Sequence, residues 1–302
     1  MPGDPGTQLL LKIQQTTGIA PSEETVKNVR ALFGGDDQNL AAQYLTYLGQ
    51  IFQGNLGVST SQYPTPVSEL VFAALPWTVL LVGISTVLAF AIGVTIGISL
   101  GWKAGGRADS FFTPAAAILG SIPYFWVAVL AVWFFAIILG WFPIAGGYDP
   151  SIVPGFSLLY VLGILKFGFL PAATIIFSTF GGWVIGQRNM MVTTLGEDYI
   201  LLAKAKGLSP RRIMFRYAAR NAILPSFTGL ALSIAGIVAG ALLTEVVFGY
   251  PGMGSLLFRA VTERDYPVMQ AVFLLTTFAV LIANFIADST YALLDPRTRE
   301  DG

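Results

Sequence analysis

Five long apolar segments, separated by short polar stretches, dominate the hydrophobic pattern of this chain. They cover approximately residues 72–101, 111–140, 167–192, 222–246 and 268–292. Each is near or above the roughly 20 residues that an α-helix needs to cross a bilayer. Their cores contain no Asp, Glu, Lys or Arg, and we expect Glu245 and Asp288, near segment ends, to reach water or a headgroup. The pattern predicts an all-α polytopic membrane protein with five spans, the second kinked at Pro123.

The chain before the first span has a different pattern, typical of a water-exposed and mostly helical segment over residues 1–70. Pro21 to Glu24 resembles a helix start ahead of residues 25–33, and Gly34-Gly35 resembles a stop. A second helix is predicted over residues 39–52, ending at Gly54. Residues 57–66 have the composition of a loop.

Composition supports the membrane assignment and excludes several kinds of chemistry. The chain is 54% apolar and 11% charged, whereas soluble domains carry about 25% charged residues. Its formal net charge of +0 gives no argument for a nucleic-acid partner. With no His and no Cys, the chain cannot use Ser-His hydrolysis, His-ligated zinc, a disulfide or a thiolate nucleophile. We therefore predict no catalytic residues and no metal site.

Lys and Arg are unevenly divided between the two sides of the predicted spans, which sets the orientation. One side holds eleven of them: Lys103, Arg107, Arg188, Lys204, Lys206, Arg211, Arg212, Arg216, Arg220, Arg297 and Arg299. The other side holds six: Lys12, Lys27, Arg30, Lys166, Arg259 and Arg264. The first side is therefore predicted to be cytoplasmic, with the C-terminus inside. Five spans then place the amino-terminal segment outside.

The basic loop between the third and fourth spans is predicted to form two helices that meet at a bend. Acidic residues open the first helix and basic residues close it, in agreement with the helix dipole: Glu197 and Asp198, then Lys204 and Lys206. Gly207 suits a left-handed terminating position. Ser209-Pro210 matches an N-cap followed by proline at the first helical position. The loop thus has the helix-ending and helix-starting residues of a defined structure.

The second of these helices carries Arg212, Arg216 and Arg220 at a spacing of four, which places them on one stripe. Ile213, Met214 and Tyr217 fall largely away from it. A helix that is basic on one face could lie on the membrane surface or insert into a groove of a partner protein, and periodicity favours neither. A third interpretation is a retention loop that sets topology and binds nothing.

The ordered motifs of the chain resemble those of ABC importer permeases, and more narrowly the dipeptide/oligopeptide/nickel group. The resemblance to their EAA loop is carried by Ala203-Lys204-Ala205-Lys206-Gly207-Leu208 and Arg220-Asn221-Ala222-Ile223-Leu224-Pro225. Motifs outside the loop are Pro2-Gly3-Asp4-Pro5, Gly54-Asn55-Leu56-Gly57-Val58-Ser59, Phe248-Gly249-Tyr250-Pro251-Gly252-Met253-Gly254, Arg264-Asp265-Tyr266-Pro267 and Asp295-Pro296-Arg297. The general glutamate of the EAA pattern is absent, as is usual in this peptide group. Members also open with a transmembrane helix before Pro-Gly-Asp-Pro, so we expect a sixth helix upstream of Met1.

The resemblance implies the transmembrane-domain fold of type I ABC importers and a transport subunit that is not an enzyme. The implied partners are a second homologous permease, two cytoplasmic ATPases, an extracytoplasmic solute-binding protein and the lipid bilayer. The chain has no Gly-x-x-x-x-Gly-Lys-Ser/Thr loop, so ATP and Mg are expected on the partner ATPases and no cofactor on this chain. Residues 1–70 are then an external segment, residues 71–295 the permease domain with a coupling loop at 196–222, and residues 296–302 a cytoplasmic tail. The implied location is a bacterial or archaeal cytoplasmic membrane.

Two candidate sites follow from the resemblance. The coupling loop is expected to dock on the ATPase through Ala203, Ala205, Gly207, Leu208, Arg211, Arg212 and Arg216. An external gate, or a contact with the binding protein, is expected at Tyr250, Pro251, Gly252, Met253 and Gly254. Ordinary turn chemistry explains this second motif equally well. Glu245 and Arg264-Asp265 are interpreted as ion pairs that fix the outer loop, residues 248–267, rather than as substrate ligands.

The solute remains open at this point. Peptides are the default of the group, and oligosaccharides or nickel chelates are the alternatives with the same machinery. An alternative of another class is an ion-coupled secondary transporter, which should carry intramembrane carboxylates or broken helices repeated in two halves. A membrane enzyme would need paired carboxylates or a buried Lys, and the span cores show neither.

Overall fold

Residues 5–33, 40–235 and 242–294 are described by a computed structural model of the chain, in which helices account for most of the backbone. The amino-terminal part comprises α1 (Pro5–Thr17), α2 (Glu23–Phe33) and α3 (Leu40–Phe52). It is followed by α4 (Val67–Trp102), α5 (Arg107–Ser121), α6 (Tyr124–Ala131) with a π-helical extension over Val132–Ile138, and α7 (Leu158–Leu195). The central loop holds α8 (Asp198–Ala205), α9 (Pro210–Arg212), a π-helical segment over Ile213–Ala219, and α10 (Arg220–Ala222). The last elements are α11 (Leu224–Ala235), α12 (Leu242–Val247), α13 (Met253–Glu263) and α14 (Tyr266–Leu294).

Long apolar helices confirm the prediction of an all-α membrane protein. In the described ranges, α4 and α7 are long and apolar enough to cross a bilayer, and the pair α5–α6 would be a third span if it crosses as one unit. The fourth predicted span lies partly outside the described residues, since α11 ends at Ala235 and α12 begins at Leu242. In α14, Tyr266–Ile282 is a shorter apolar helix. The count of five spans therefore stays a prediction.

The break predicted at Pro123 is sharper than a kink. Helix α5 ends at Ser121, α6 begins at Tyr124 with Pro123 as its N-cap, and the two helices meet at 87°. Proline has no N–H to donate and its ring disfavours a helical residue before it, so the helix has to restart here. The predicted second span is thus two helices with a corner between them.

Helices α4 and α7 form the core of the membrane part because glycines let their backbones approach closely. Gly93, Gly97 and Gly101 lie four residues apart on one face of α4. A Cβ at Gly97 would lie 2.6 Å from the carbonyl oxygen of Val184, and one at Gly101 would lie 2.5 Å from the Cβ of Met191. Small residues at such a spacing are a known means of close helix packing in membranes.

The amino-terminal helices follow the predicted pattern. The Ser22 hydroxyl accepts a hydrogen bond from the Thr25 backbone N–H at 3.2 Å, which caps α2 at the predicted start. The predicted second helix is α3, and Gly54 after it has a φ of 74°. Gly34 and Gly35, the predicted stop of α2, lie outside the described residues.

Candidate functional site

Gly207 makes the bend of the central loop in the way its position predicts. Its φ is 72°, in the left-handed region that favours glycine. The Gly207 N–H donates to the Lys204 carbonyl at 2.9 Å, and the Leu208 N–H donates to the Ala203 carbonyl at 3.3 Å. These two bonds form a Schellman motif, which uses carbonyls that the end of α8 would leave unpaired. The direction in which the chain leaves α8 is therefore fixed.

The second helix of the loop begins at the predicted Ser209-Pro210 step. Ser209 has extended backbone angles and Pro210 occupies the first helical position, although the Ser209 side chain makes no capping hydrogen bond. The helix then passes through the π-helical segment Ile213–Ala219 into α10. Arg212, Arg216 and Arg220 are all exposed, so the predicted basic stripe faces away from the helix pack.

Buried apolar side chains hold the two loop helices against the end of α7. The residues of this cluster come from α7, α8, the π-helical segment and α10: Met191, Ile200, Ala203, Ile213, Ala218, Ala219 and Ala222. Ile200 and Ala218 are completely buried and Ile213 is nearly so. The loop is therefore a packed unit on the C-terminal end of α7 rather than a solvated connection.

The seven predicted docking residues divide between surface and interior. Ala205, Gly207, Arg211, Arg212 and Arg216 are exposed, and Leu208 is half-buried against the apolar cluster. Ala203 is only 3% exposed and belongs to that cluster together with Ile200 and Met191. It packs the loop in this arrangement, and its role in docking stays a prediction. The sequence reasoning missed three exposed apolar side chains of the loop: Leu201 and Leu202 on α8, and Phe215 on the helix that carries the arginines.

Polar contacts connect the loop to the helices above it. The Asn221 amide donates to the Tyr199 hydroxyl at 3.0 Å, across the bend. On α11, the Ser226 hydroxyl donates to Gln187 Oε1 of α7 at 2.5 Å, and Gln187 is fully buried. The first bond joins the two helices of the loop at their exposed surface, and the second joins α11 to α7 in the interior.

Asp109 and Arg188, which sequence reasoning used only for counting charge or not at all, form a partly buried ion pair nearby. Arg188 Nε donates to Asp109 Oδ1 at 2.9 Å and Nη2 donates to Oδ2 at 2.7 Å. The Gly105 N–H and the Thr113 hydroxyl donate to the same carboxylate. The pair ties the first turn of α5 to α7, one residue from Gln187.

On the opposite end of the molecule, the motif predicted as a gate is largely interior. Tyr250 and Met253 are each 1% exposed, Gly252 and Gly254 are buried, and Pro251 is half-buried. The turn leads into α13 and packs on the loop before α7, where the Gly146 N–H donates to the Phe248 carbonyl at 2.9 Å. The motif is therefore packed inside the fold, and its role as a gate or as a contact with a binding protein stays a prediction.

Aromatic rings cover the turn. Tyr250 meets Trp77 of α4 edge to face at 5.6 Å between ring centroids, and Trp77 stacks on Tyr148 at 5.8 Å. Such pairs add to the stabilisation that burial of the rings already gives. The turn of residues 248–254, α4 and the loop before α7 therefore form one packed corner.

The expectation that Glu245 reaches water or an ion-pair partner is wrong. Its side chain is fully buried, and the structure shows no cation paired with it among the described residues. The Thr78 hydroxyl donates to Oε1 at 2.7 Å, and the backbone N–H groups of Gly254 and Ser255 donate to Oε2 at 2.7 and 3.2 Å. The carboxylate thus occupies the positive N-terminal end of α13, where a negative charge is stabilised. Its role in fixing the outer loop is structural, as predicted, but through hydrogen bonds.

Asp265 also differs from the predicted ion pair. It is fully buried, and the hydroxyls of Ser59 and Ser61 donate to its Oδ2 together with the Ser61 N–H. Burial alone would raise the pKa of Asp265, but these hydrogen bonds together lower it below its ordinary value. Arg264 beside it is exposed and takes a left-handed conformation that ends α13. Asp265 is therefore the point where the motif around Ser59 meets the motif around Tyr266.

Among the described residues, no three His, Cys, Asp or Glu side chains come together in a way that could hold a metal ion. Asn284 is half-buried on α14. The side chain of Asp288, expected to reach water or a headgroup, lies outside what the structure describes.

Comparison with known proteins agrees with this architecture. Residues 93–300 match the family described as binding-protein-dependent transport system inner membrane component. The oligopeptide transport system permease protein AppB of Bacillus subtilis is 34% identical over 98% of this chain and 90% of its own length. The di/tripeptide transport system permease protein DppB of Pseudomonas aeruginosa is 35% identical over 88% of this chain and 82% of its own length. A probable peptide ABC transporter permease of Sinorhizobium fredii, y4tP, is 31% identical over 99% of the chain.

These matches confirm the predicted resemblance to ABC importer permeases and make a secondary transporter or a membrane enzyme untenable as the class of protein. They also agree with a multi-pass membrane protein whose ATP hydrolysis is carried out by other subunits. The chain belongs to the family of binding-protein-dependent transport system inner membrane components, the permease subunits of ABC importers.

Proposed function

We propose that this chain forms, with a second homologous permease, the translocation path of an importer for peptides. An extracytoplasmic binding protein delivers the solute and two cytoplasmic ATPases drive the cycle. The observation that carries the proposal is the loop of residues 196–222, which presents exposed arginines from a bend fixed by Gly207. Peptides are favoured because the relatives named above are called oligopeptide, di/tripeptide and peptide permeases. Oligosaccharides and nickel chelates remain the alternatives for the same machinery.

The loop is suited to coupling because one face is exposed and the other is anchored. Arg211, Arg212 and Arg216 form the exposed basic face, with the apolar Phe215, 60% exposed, among them. The anchored face packs against α7 through Ile200 and Ile213. When a partner protein binds the exposed face and moves the loop, the anchored face and α7 move with it. Coupling between distant sites requires such a connection. The partner we assign is the ATPase, rather than the anionic surface of the membrane.

The charge distribution supports an orientation with the loop and the C-terminus in the cytoplasm of a bacterial or archaeal cell. Residues 1–70 then lie outside, together with the outer turn at 248–254. The Lys12 ammonium donates to the Ser61 carbonyl at 2.8 Å and Ser61 bonds to Asp265. These contacts support one common side for the amino-terminal segment and the outer turn. We assign the turn to an external gate.

Charge reversal in the loop tests the coupling role. In the complete importer reconstituted in proteoliposomes, Arg212→Glu should lower ATP hydrolysis stimulated by the binding protein at least tenfold and weaken co-purification of the ATPases. Arg259→Glu is the matched control, because Arg259 is equally exposed but lies on α13, at the other end of the molecule. Equal activity of Arg212→Glu and wild type would refute docking through this face.

The solute is tested on the binding protein encoded beside this permease. A ligand that binds only the folded state raises the melting temperature by mass action. We expect stabilisation by di- to hexapeptides and none by nickel chelates or β-linked oligosaccharides. Stabilisation by sugars alone would leave the coupling role intact and contradict the peptide assignment.

A further inference from the structure

The hydroxyl of Thr78 lies between two groups on the helices that flank the outer turn and bonds to both. It donates to Glu245 Oε1 at 2.7 Å and accepts from the Met253 N–H at 2.7 Å. Thr78 belongs to α4, Glu245 to α12 and Met253 to the start of α13. One hydroxyl group therefore joins α4 to both helices that flank the turn.

The carboxylate of Glu245 completes this arrangement from the other side. It accepts from the next two N–H groups of α13, those of Gly254 and Ser255. A Cβ at Gly252 would lie 2.5 Å from Glu245 Oε1, so the turn can close around the carboxylate only with glycine there. Glu245 and Thr78 together satisfy the first three N–H groups of α13, which otherwise has no side-chain cap.

Apolar contacts also join α4 to α13. Val71 and Ala74 of α4 belong to one buried cluster with Leu256 and Ala260 of α13. Each of these contacts is individually weak and non-directional. The bonds through Thr78 have defined geometry, and they hold the helices in the arrangement seen here.

Two polar groups in the same corner are not satisfied in this arrangement. The hydroxyl oxygens of Thr244 and Ser255 are buried and have no hydrogen-bond partner among the described residues. An unmade buried hydrogen bond lowers the stability of the state that contains it. The corner therefore contains the directional hydrogen bonds of Thr78 and two buried hydroxyl groups without a partner among the described residues. These hydroxyls could form hydrogen bonds in another arrangement of the helices.

We propose that Thr78 and Glu245 form a latch, which holds the outer turn against α4 in this state and opens during the transport cycle. This inference rests on the proposed importer function, because alternating access requires one arrangement of the outer helices to give way to another. Thr78 and Glu245 are positioning residues: they act through the turn and are not assigned contact with solute.

Substitution of Thr78 tests the latch in the complete reconstituted importer. Thr78→Val keeps the shape of the side chain but removes both hydrogen bonds, and Thr78→Ser keeps the hydroxyl. With the latch weakened, Thr78→Val should hydrolyse ATP about three- to tenfold faster than wild type without the binding protein, and import fewer solute molecules per ATP. Thr78→Ser should behave as wild type in both assays. A lower melting temperature with unchanged hydrolysis and stoichiometry would show a merely structural role and overturn the latch.

A distance measurement keeps the proposal testable if Thr78→Val does not assemble. The chain contains no cysteine, so Phe72→Cys on α4 and Val261→Cys on α13 would be the only labelled positions of the subunit. Both residues are exposed in wild type. The distance between spin labels at these positions measures the separation of α4 and α13 at this corner. We expect the distance to change by about 5 Å or more, one helical turn, between the resting importer and the state with ATP and binding protein. A pair at Phe72→Cys and Phe169→Cys, on the tightly packed α4 and α7, should change little.

The outcomes separate the latch from the function on which it rests. An unchanged Phe72–Val261 distance in an importer that responds to its binding protein would overturn the latch alone. A wild-type importer whose ATP hydrolysis does not respond to the binding protein would contradict the proposed function, and the latch with it.

Discussion

The guanidinium of Arg188 and the carboxylate of Asp109 are joined by two parallel hydrogen bonds, of 2.9 and 2.7 Å. Asp109 lies in the first turn of α5, and Arg188 lies on α7 between the glycine-packed face and the coupling loop. The side chains are 4% and 24% exposed, respectively. A two-bond pair of this kind fixes both the distance and the angle between two helices. It is placed to determine how far α5 follows when α7 moves.

Removal of Arg188 should lower the free energy of unfolding, because the Asp109 carboxylate is then left buried without its partner. Arg188→Ala should destabilise the protein by about 3 kcal/mol, the lower end for a broken buried pair because Arg188 is partly exposed. Arg188→Lys, which keeps the charge but loses the planar two-bond geometry, should cost less. Thermal unfolding in detergent measures both. Arg107→Ala is the control, because Arg107 is exposed in the same turn as Asp109; an equal effect of the two alanine variants would contradict the special role of the pair.

Asp265 gives a prediction with a defined pH dependence. Burial raises the pKa of Asp265, but the hydrogen bonds from the hydroxyls of Ser59 and Ser61 and from the backbone N–H groups of Ser61 and Thr60 together lower it below its ordinary value. A carboxyl group with a lowered folded pKa stabilises the fold above its unfolded pKa of about 3.9 and loses this contribution as pH falls through the folded value. Asp265→Asn should therefore cost about 2 kcal/mol at pH 7, in line with hydrogen bonds to a charged group. The difference from wild type should be constant between pH 8 and pH 5 and should shrink below about pH 4.

Thermal unfolding across this pH range provides the measurement for Asp265. Glu263→Gln is its control, since the Glu263 carboxylate lies 4.0 Å from Lys12 and its side chain is 45% exposed. The control should be nearly neutral at every pH. A difference between Asp265→Asn and wild type that grows as the pH falls would reverse the expected sign and refute the assignment.

Features set by neighbouring residues were predictable from the sequence, and features set by distant residues were not. Gly207, the Ser209-Pro210 helix start and the break at Pro123 follow from backbone preferences that act within a few residues. The partners of Glu245 and Asp265 include groups as far as 167 and 206 residues away along the chain. They are also hydroxyl and backbone N–H groups, which occur along the whole chain, so no charge pattern marks them. Expecting cations as the partners of these two carboxylates was wrong for this reason.

Which candidate residues are buried also depends on tertiary packing, which cannot be read from a single sequence. Ala203 and Tyr250 stand in motifs that the resemblance associates with partner contacts, yet the fold turns both inward. A feature that the sequence did contain is the spacing of Gly93, Gly97 and Gly101, which predicts a close helix contact but not which helix it meets. The structure identifies the partner helix of these glycines as α7.

Gly207 should be sensitive to substitution for conformational reasons alone. A Cβ at Gly207 would meet no atom within 4 Å, so alanine causes no clash there. Its φ of 72° nevertheless costs an L-residue about 1–2 kcal/mol. We expect Gly207→Ala to lower the ATP hydrolysis stimulated by the binding protein, and Gly207→Asn to lower it less, because Asn tolerates this conformation. Gly186→Ala, on α7 with equally open space, should leave hydrolysis unchanged; the same loss in both alanine variants would point to added volume rather than backbone conformation.

Gly97 should be sensitive for the opposite reason, because the space beside it is filled by backbone. A methyl group there would lie 2.6 Å from the Val184 carbonyl oxygen and 3.0 Å from the Arg188 nitrogen. Backbone atoms of a packed helix cannot rotate away as a side chain can, so α4 and α7 must separate. Gly97→Ala should therefore destabilise the protein by about 1–3 kcal/mol, measured by thermal unfolding in detergent.

The matched variant for Gly97 lies on the other helix of the same pair. Gly182 of α7 has no atom within 4 Å of an added Cβ, so Gly182→Ala adds the same methyl group to open space and should be neutral or slightly stabilising. Because both substitutions raise helix propensity equally, their difference isolates the contact between α4 and α7. If Gly97→Ala were as stable as Gly182→Ala, the close approach of the two helices would not be what organises the core, and the path from the coupling loop through α7 to α4 would lose its rigid connection.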